Sequence, residues 1–140
     1  MATNTNVVYP PARRDARQVL NTLKRVLNFS DGDIAKASFA NSLPAGAFIV
    51  SVQAYVVTAF NAGTTNPITI GTNSTTFNNI SASGTITAAT PGMYTPTIGL
   101  GPVIAASADT PVFITYIPTG TAATTGQLVV VITYEGGWAS

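Results

Sequence analysis

The chain has 140 residues, six of them basic and five acidic, and it contains neither histidine nor cysteine. These absences exclude disulfide frameworks, thiolate metal centres, cysteine nucleophiles, imidazole bases and histidine-ligated metals. Charged residues make up 8% of the chain, whereas about 25% is ordinary for a soluble domain. A chain of this length corresponds to one domain with a core large enough to fold without disulfides or metals.

The basic residues all lie near the N-terminus, and Lys36 is the last of them. The six bases outnumber Asp15, Asp31 and Asp33 in residues 1–36, which carry +3, while residues 37–140 carry −2. This asymmetry predicts a basic arm, residues 1–23, followed by a nearly neutral domain, residues 24–140. No apolar stretch is typical of a secretory signal or a membrane span. We therefore expect synthesis in a cytoplasm and no membrane partner.

Two interpretations of the arm are open. Apolar residues at helical spacing between Ala16 and Leu27 favour a short amphipathic helix over residues 13–24. Alternatively, Lys24–Phe29 is the first β-strand, with Leu27 and Phe29 facing inward. We favour a helix or irregular arm to about Asn21, followed by a strand from about Lys24.

Alternation of apolar and polar residues begins at Phe48 and continues to Phe60, which predicts a strand with one buried face. Residues 61–66, NAGTTN, have the composition of a hairpin loop, and residues 67–71 resume the alternation. The pattern therefore predicts two antiparallel strands joined by this loop.

The C-terminal half contains two further segments rich in β-branched and aromatic residues, 111–117 and 127–135. Weaker patterns predict short strands at 76–80, 84–87 and 102–105, separated by turns such as Pro91-Gly92. The fold class is therefore all-β: an antiparallel β-sandwich, jelly-roll-like, with an extended or partly helical N-terminal arm. The residues predicted to face inward are Val50, Val52, Val56, Ile68, Ile70, Ile114, Val130 and Ile132.

A search for catalytic and metal-binding patterns gives little. Asp31-Gly32-Asp33 resembles the start of a calcium loop, but Ala35, Ala37 and Ser42 occupy later ligand positions, which favours a turn whose carboxylates accept N–H groups. The other acids are scattered, so we expect no enzymatic activity, no cofactor and no metal. Arg13, Arg14 and Arg17 would suit phosphates, but no aromatic residues are interleaved with them, and nucleic acid is not an expected partner.

The predicted strands lack the lysines that usually protect exposed sheet edges, since no Lys or Arg follows Lys36. Edges and faces without such protection are commonly covered by other chains. We therefore expect self-association, as a homotrimer or else a dimer, or coverage by a larger partner.

Four motifs in residues 28–135 resemble a known protein family. They are the LPAGA turn at 43–47, VVTAFNAGT at 56–64, the following ITIGT, and the TGTAATTGQ loop at 119–127. Together they resemble small virion proteins of tailed bacteriophages of the head auxiliary (cement or decoration) type. This resemblance implies a β-sandwich that binds the outer face of the capsid as an oligomer.

The expected function is non-enzymatic: binding the major capsid protein on the virion surface and bridging neighbouring capsid subunits. The residues predicted to dock the arm on the capsid are Val7, Val8, Tyr9, Arg13, Arg14, Arg17, Lys24 and Arg25. The alternative function is a receptor- or glycan-binding module of a phage tail, fibre or spike, which would need a surface patch of aromatics. Tyr55, Tyr94, Tyr116 and Trp138 are the candidates for such a patch.

Overall fold

The computed structural model describes residues 20–72, 76–98 and 108–136. Within these ranges the chain forms seven strands and no helix. The strands are β1 (Leu20–Asn28), β2 (Ala37–Ser38), β3 (Phe48–Thr58), β4 (Ile68–Gly71), β5 (Gly92–Tyr94), β6 (Phe113–Tyr116) and β7 (Gln127–Glu135). The prediction of an all-β antiparallel sandwich is confirmed; its jelly-roll character stays a prediction.

The strands form two antiparallel sheets that enclose one core. The first sheet has four strands in the order β1-β7-β3-β5, and the second has three in the order β2-β6-β4. Every neighbouring pair is antiparallel. Side chains from the inner faces of both sheets meet in one buried cluster, and Phe60, which follows β3, packs on Tyr116 of β6 with ring centroids 4.6 Å apart. The core is therefore the interface between the two sheets.

A β-bulge in β3 changes which of its residues face inward. The pairing of β3 with β7 shifts register between Ile49 and Ser51. Because side chains alternate with period two, one extra residue reverses the alternation on either side of it. Ile49 is therefore buried, and Val50, predicted to face inward, is 45% exposed. The prediction for Val50 was wrong, and the other seven predicted core residues are buried.

The predicted hairpin between β3 and β4 was also wrong. β3 pairs with β7 and β5, whereas β4 pairs with β6 in the other sheet. The loop at 61–66 therefore carries the chain across the sandwich. The loop between β6 and β7 crosses in the opposite direction. Alternation alone predicts a strand and its buried face but not the sheet to which the strand belongs.

The middle of the chain differs most from the sequence-based prediction. Residues 76–80 and 84–87 are not strands; only Ser81 makes an isolated bridge there, with Ile70. Gly92, predicted to lie in a turn, instead begins β5. The predicted strand at 102–105 lies outside the described residues.

Strand β1 begins at Leu20, four residues before the strand expected from Lys24. Residues 20–24 are therefore extended β-structure rather than the end of a helix, and residues 13–19 lie outside the described ranges. Leu23 and Leu27 face the core, whereas Phe29 follows the strand and is 37% exposed. Pairing with β7 along its whole length explains why apolar residues at helical spacing form a strand here.

Candidate interaction surfaces

The residues predicted to dock the arm are divided between two parts of the chain. Six of them lie outside the described residues: Val7, Val8, Tyr9, Arg13, Arg14 and Arg17. Lys24 and Arg25 lie within β1, where they point to opposite sides of the first sheet. Lys24 is exposed on the outer face. Arg25 lies on the inner side, at the edge of the sandwich.

Arg25 forms an ion pair within the domain. Its Nη2 donates to both carboxylate oxygens of Asp33 at 3.0 Å, and Asp31 lies 4.0 Å away. Asp31 also accepts the backbone N–H of Asn28 at 2.8 Å. The Asp-Gly-Asp sequence is thus a turn whose carboxylates bind nearby donors, as the sequence favoured. Because Arg25 is paired internally, Lys24 is the more accessible cation of β1.

The two loops that cross the sandwich lie side by side. The Asn61 carboxamide oxygen accepts the backbone N–H groups of Thr124 and Thr125 at 2.8 and 3.0 Å. Further along, the N–H groups of Gly63 and Thr64 donate to the second loop at 2.9 Å each. The VVTAFNAGT and TGTAATTGQ motifs are therefore one structural unit, which joins the two sheets at one end of the sandwich.

Glycines allow this close approach of the two loops. A Cβ on Gly63 would lie 2.8 Å from the backbone nitrogen of Thr121, and a Cβ on Gly126 would lie 2.3 Å from the Phe60 ring. Gly126 also has a φ of +146°, a conformation that other residues rarely adopt. The requirement for glycine at these motif positions is therefore explained by packing.

Tyr116 connects this unit to the core. Its hydroxyl donates to the side-chain oxygen of Asn66 at 2.7 Å, and that oxygen also accepts the Ala62 N–H at 3.0 Å. Burial raises the pKa of the Tyr116 phenol, because the phenolate would lose hydration. Tyr116 is consequently a structural residue.

One end of the outer face of the three-stranded sheet is covered by the chain itself. Backbone atoms of Phe77 and Asn78 lie so close to Gly71 that a Cβ there would be within 2.6 Å of them. The Phe77 ring packs edge-on against Phe113 at 5.0 Å. Lys36 places its ammonium group 5.2 Å and 4.8 Å from the two ring centroids. Phe77 and Lys36 thereby shield the apolar surface around Phe113 from solvent.

The outer face of the four-stranded sheet is different, because large apolar side chains lie exposed across it. The register places Val26, Val129, Tyr55 and Met93 side by side, one from each strand. We call these four residues the apolar row. Tyr55 is 48% and Met93 66% exposed. Monomeric soluble proteins seldom expose large contiguous apolar patches, so this row has the character of an interaction surface.

The candidate aromatic residues do not form a shared platform. Tyr55 lies on the outer face of its sheet, Tyr94 lies on the inner side and donates to the Thr90 carbonyl, and Tyr116 is buried. Trp138 lies outside the described residues. Within the described ranges, no three acidic side chains are grouped to hold a metal, and no helix is long and apolar enough to cross a membrane.

Comparison with solved structures gives two similar chains. One is from the cyanophage Pam1 capsid asymmetric unit, with a TM-score of 0.63 and 21% identity over 84% of each chain. The other is from the acidic stable capsid structure of Helicobacter pylori bacteriophage KHP30, with a TM-score of 0.60 and 21% identity over 83% of this chain and 86% of that one. The fold is shared. No family model and no curated protein matches the sequence.

Proposed function

We propose that the protein is a non-enzymatic structural component of a phage virion that binds the outer capsid surface and stabilises the head. The observation that carries this proposal is the shared fold with chains from two phage capsid structures, over more than four fifths of this chain. The four motifs that resemble head auxiliary proteins support it, and two of them, VVTAFNAGT and TGTAATTGQ, form the paired loops that hold the two sheets together. The proposed role requires no catalytic group and no cofactor.

In this mechanism the sandwich bridges neighbouring copies of the major capsid protein, and the arm extends across the shell. The arm concentrates Arg13, Arg14 and Arg17 in a chain that has no base after Lys36. Individual exposed ion pairs contribute only about 0–1 kcal/mol and are screened by salt, so several must act together. Val7, Val8 and Tyr9 add apolar contact. Many copies on one shell, each a trimer or a dimer, then sum their contributions.

The test uses undecorated capsids and compares the full chain with a variant that lacks residues 1–17. Strand β1 begins at Leu20, so the deletion leaves every described strand intact, and we expect an unchanged β circular dichroism spectrum. Capsid binding should weaken, and binding of the full chain should weaken further as salt rises. A triple Arg13→Gln, Arg14→Gln, Arg17→Gln variant separates the charges from the apolar residues.

Two outcomes contradict parts of the proposal. If the full chain fails to bind capsids at any salt concentration, the capsid function is wrong. If the truncated chain binds as tightly as the full chain throughout, the arm is passive, and attachment belongs to the sandwich.

A further inference from the structure

The large apolar side chains that the described residues expose are concentrated on one surface. Six of the eight belong to strands of the four-stranded sheet: Leu20, Val26, Val50, Tyr55, Val57 and Met93. Leu20 lies at one end of the sheet and Val57 at the other, and the nine residue pairs of β1 with β7 span about 27 Å between them. The exposed apolar surface therefore extends beyond the apolar row to the full length of the face.

The charges on this face balance. Lys24 is the one basic and Glu135 the one acidic side chain that the described strands place there. A surface selected for a strongly charged partner, such as nucleic acid or an acidic membrane, would carry an excess of one sign. This face carries no excess, so its chemistry fits a nearly neutral protein surface.

The arm joins the domain on the same face. Residues 1–19 precede β1, whose first residue, Leu20, points outward and is 58% exposed. Lys24, the more accessible of the two predicted docking cations in β1, lies between Leu20 and the apolar row. The residues predicted to dock the arm thus continue directly into this face. A partner that the arm binds is thereby brought next to the face.

The area of the face favours a partner other than a second copy of the chain. A second copy related by a two-fold axis along the apolar row would overlap only about half of the face, because the row lies two residues from one end of β1 and β7. A larger partner can cover the whole face, which measures about 450 Å², or about 900 Å² summed over both partners. This total is just below the roughly 1,000 Å² that a specific interface needs, and contact by the arm raises it above that limit.

We infer that the outer face of the four-stranded sheet is the surface of the sandwich that docks on the capsid, against a nearly neutral and partly apolar surface of a capsid subunit. This inference rests on the proposed function and names the face that the proposed function leaves open. Tyr55, on the central strand β3, and Met93, on the edge strand β5, lie side by side in the contact. Aromatic residues and methionine are enriched at the centres of such interfaces.

Binding to undecorated capsids tests the face with matched variants. Tyr55→Asp and Met93→Asp each place a charge in the apolar contact and should weaken binding at least tenfold, while the circular dichroism spectrum stays unchanged. Ile117→Asp is the matched control, because Ile117 is 61% exposed but follows β6 of the other sheet. It should bind capsids like the parent chain.

Cross-linking identifies the occupant of the face, and the absence of cysteine from the chain makes the attachment specific. Gln53 is exposed in the middle of the face, where it pairs with Val131. A benzophenone maleimide attached to Gln53→Cys should join the chain to a capsid subunit, which mass spectrometry of the product identifies. The same reagent on Ile117→Cys should give far less of this product.

The outcomes separate this inference from the proposed function. If the parent chain does not bind capsids, the proposed function is wrong and the inference fails with it. If the parent chain binds but folded Tyr55→Asp and Met93→Asp bind as tightly as Ile117→Asp, the inference alone is overturned. Cross-linking of Gln53→Cys to a second copy, or to residues 1–19 of its own chain, would assign the face to that occupant and would also overturn it.

Discussion

The outer face of the three-stranded sheet is covered at its Gly71 end by residues 76–79 of the same chain, whereas the outer face of the four-stranded sheet exposes Tyr55 and Met93. Both faces are poor in charge. On the covered face, Lys36 places its ammonium group over an aromatic pair. On the uncovered face no described segment lies over the apolar row.

This difference indicates which low-charge surface serves folding and which serves association. Residues 76–79 cover the apolar patch on the first face. Phe77 adopts a φ of +45° there, which is an unfavourable backbone conformation for a residue other than glycine. Hydrogen bonds between Asn79 and Thr72 hold that segment in place. Among the described residues no segment covers the second face in this way, so its apolar side chains are exposed.

The largest effect is expected where the two faces share a core. Val52→Asp buries an unpaired charge and should cost about 3–5 kcal/mol, enough to unfold a marginally stable domain and abolish both faces. Val50→Asp is the matched control two residues away, because the bulge turns Val50 outward. It should change stability by about 0.5 kcal/mol or less. Urea denaturation followed by circular dichroism measures both, and equal effects would contradict the bulged register.

A second change uncovers the three-stranded sheet. In Gly71→Ala the new Cβ would lie 2.4 Å from a backbone atom of Phe77, so residues 76–79 must move. Overpacking of this kind costs about 1–3 kcal/mol. Gly32→Ala, which has no atom within 4 Å of the new Cβ, should be close to neutral in the same denaturation experiment. A neutral Gly71→Ala would show that the segment does not cover this face.

A third change concerns the junction of the two sheets. Tyr116→Phe removes the hydrogen bond to Asn66 and should cost about 0.5–1.5 kcal/mol at neutral pH. Burial raises the pKa of Tyr116 above its ordinary 10.0. The stability that the protonated Tyr116 side chain contributes is therefore fully present below pH 10. It is lost as pH rises, since the unfolded chain ionises first.

Alkaline denaturation therefore distinguishes the parent protein from the Tyr116→Phe variant. The parent protein should lose more stability than Tyr116→Phe as pH rises above the ordinary phenol pKa of 10.0. Identical alkaline profiles would mean that Tyr116 is hydrated rather than buried.

The smallest expected effect on stability comes from replacing one lysine on each of the two faces. Lys36→Met removes the cation that lies over Phe77 and Phe113 but keeps a long apolar side chain, with an expected cost of about 0.5–1 kcal/mol. Lys24→Met, on the uncovered face, should leave the stability of the monomer unchanged. A thermal unfolding scan of both variants provides the measurement, and a larger loss for Lys24→Met would reverse the assignment of the two faces.

Much of the fold was predictable because alternation is a local signal. Strand β7 was predicted with its observed bounds, and seven of eight core residues were correct. The bulge at Val50 was not predictable, because it depends on the register with β7, which is distant in sequence. The exchange of strands between sheets was missed for the same reason: Asn61 and Thr124, which fix the crossing loops, are 63 residues apart.

The interaction surface was only partly predictable. The lack of Lys after residue 36 indicated that some surface is covered by other chains. The apolar row, however, depends on the order of four strands that are distant in sequence, and local sequence patterns do not predict that order. Met93 carried no signal at all, since Pro91-Gly92 favoured a turn where β5 begins. Arg25 was assigned to docking from its charge alone, and its pairing with Asp33 appears only once the turn is folded.

The most direct test of the central claim, that this chain is a structural protein of the outer capsid surface, is a cryo-electron microscopy map of the virions that contain it. We predict density for the sandwich on the outside of the head, in contact with at least two capsid subunits. Density confined to a tail, fibre or spike would contradict the claim and favour a receptor-binding role instead.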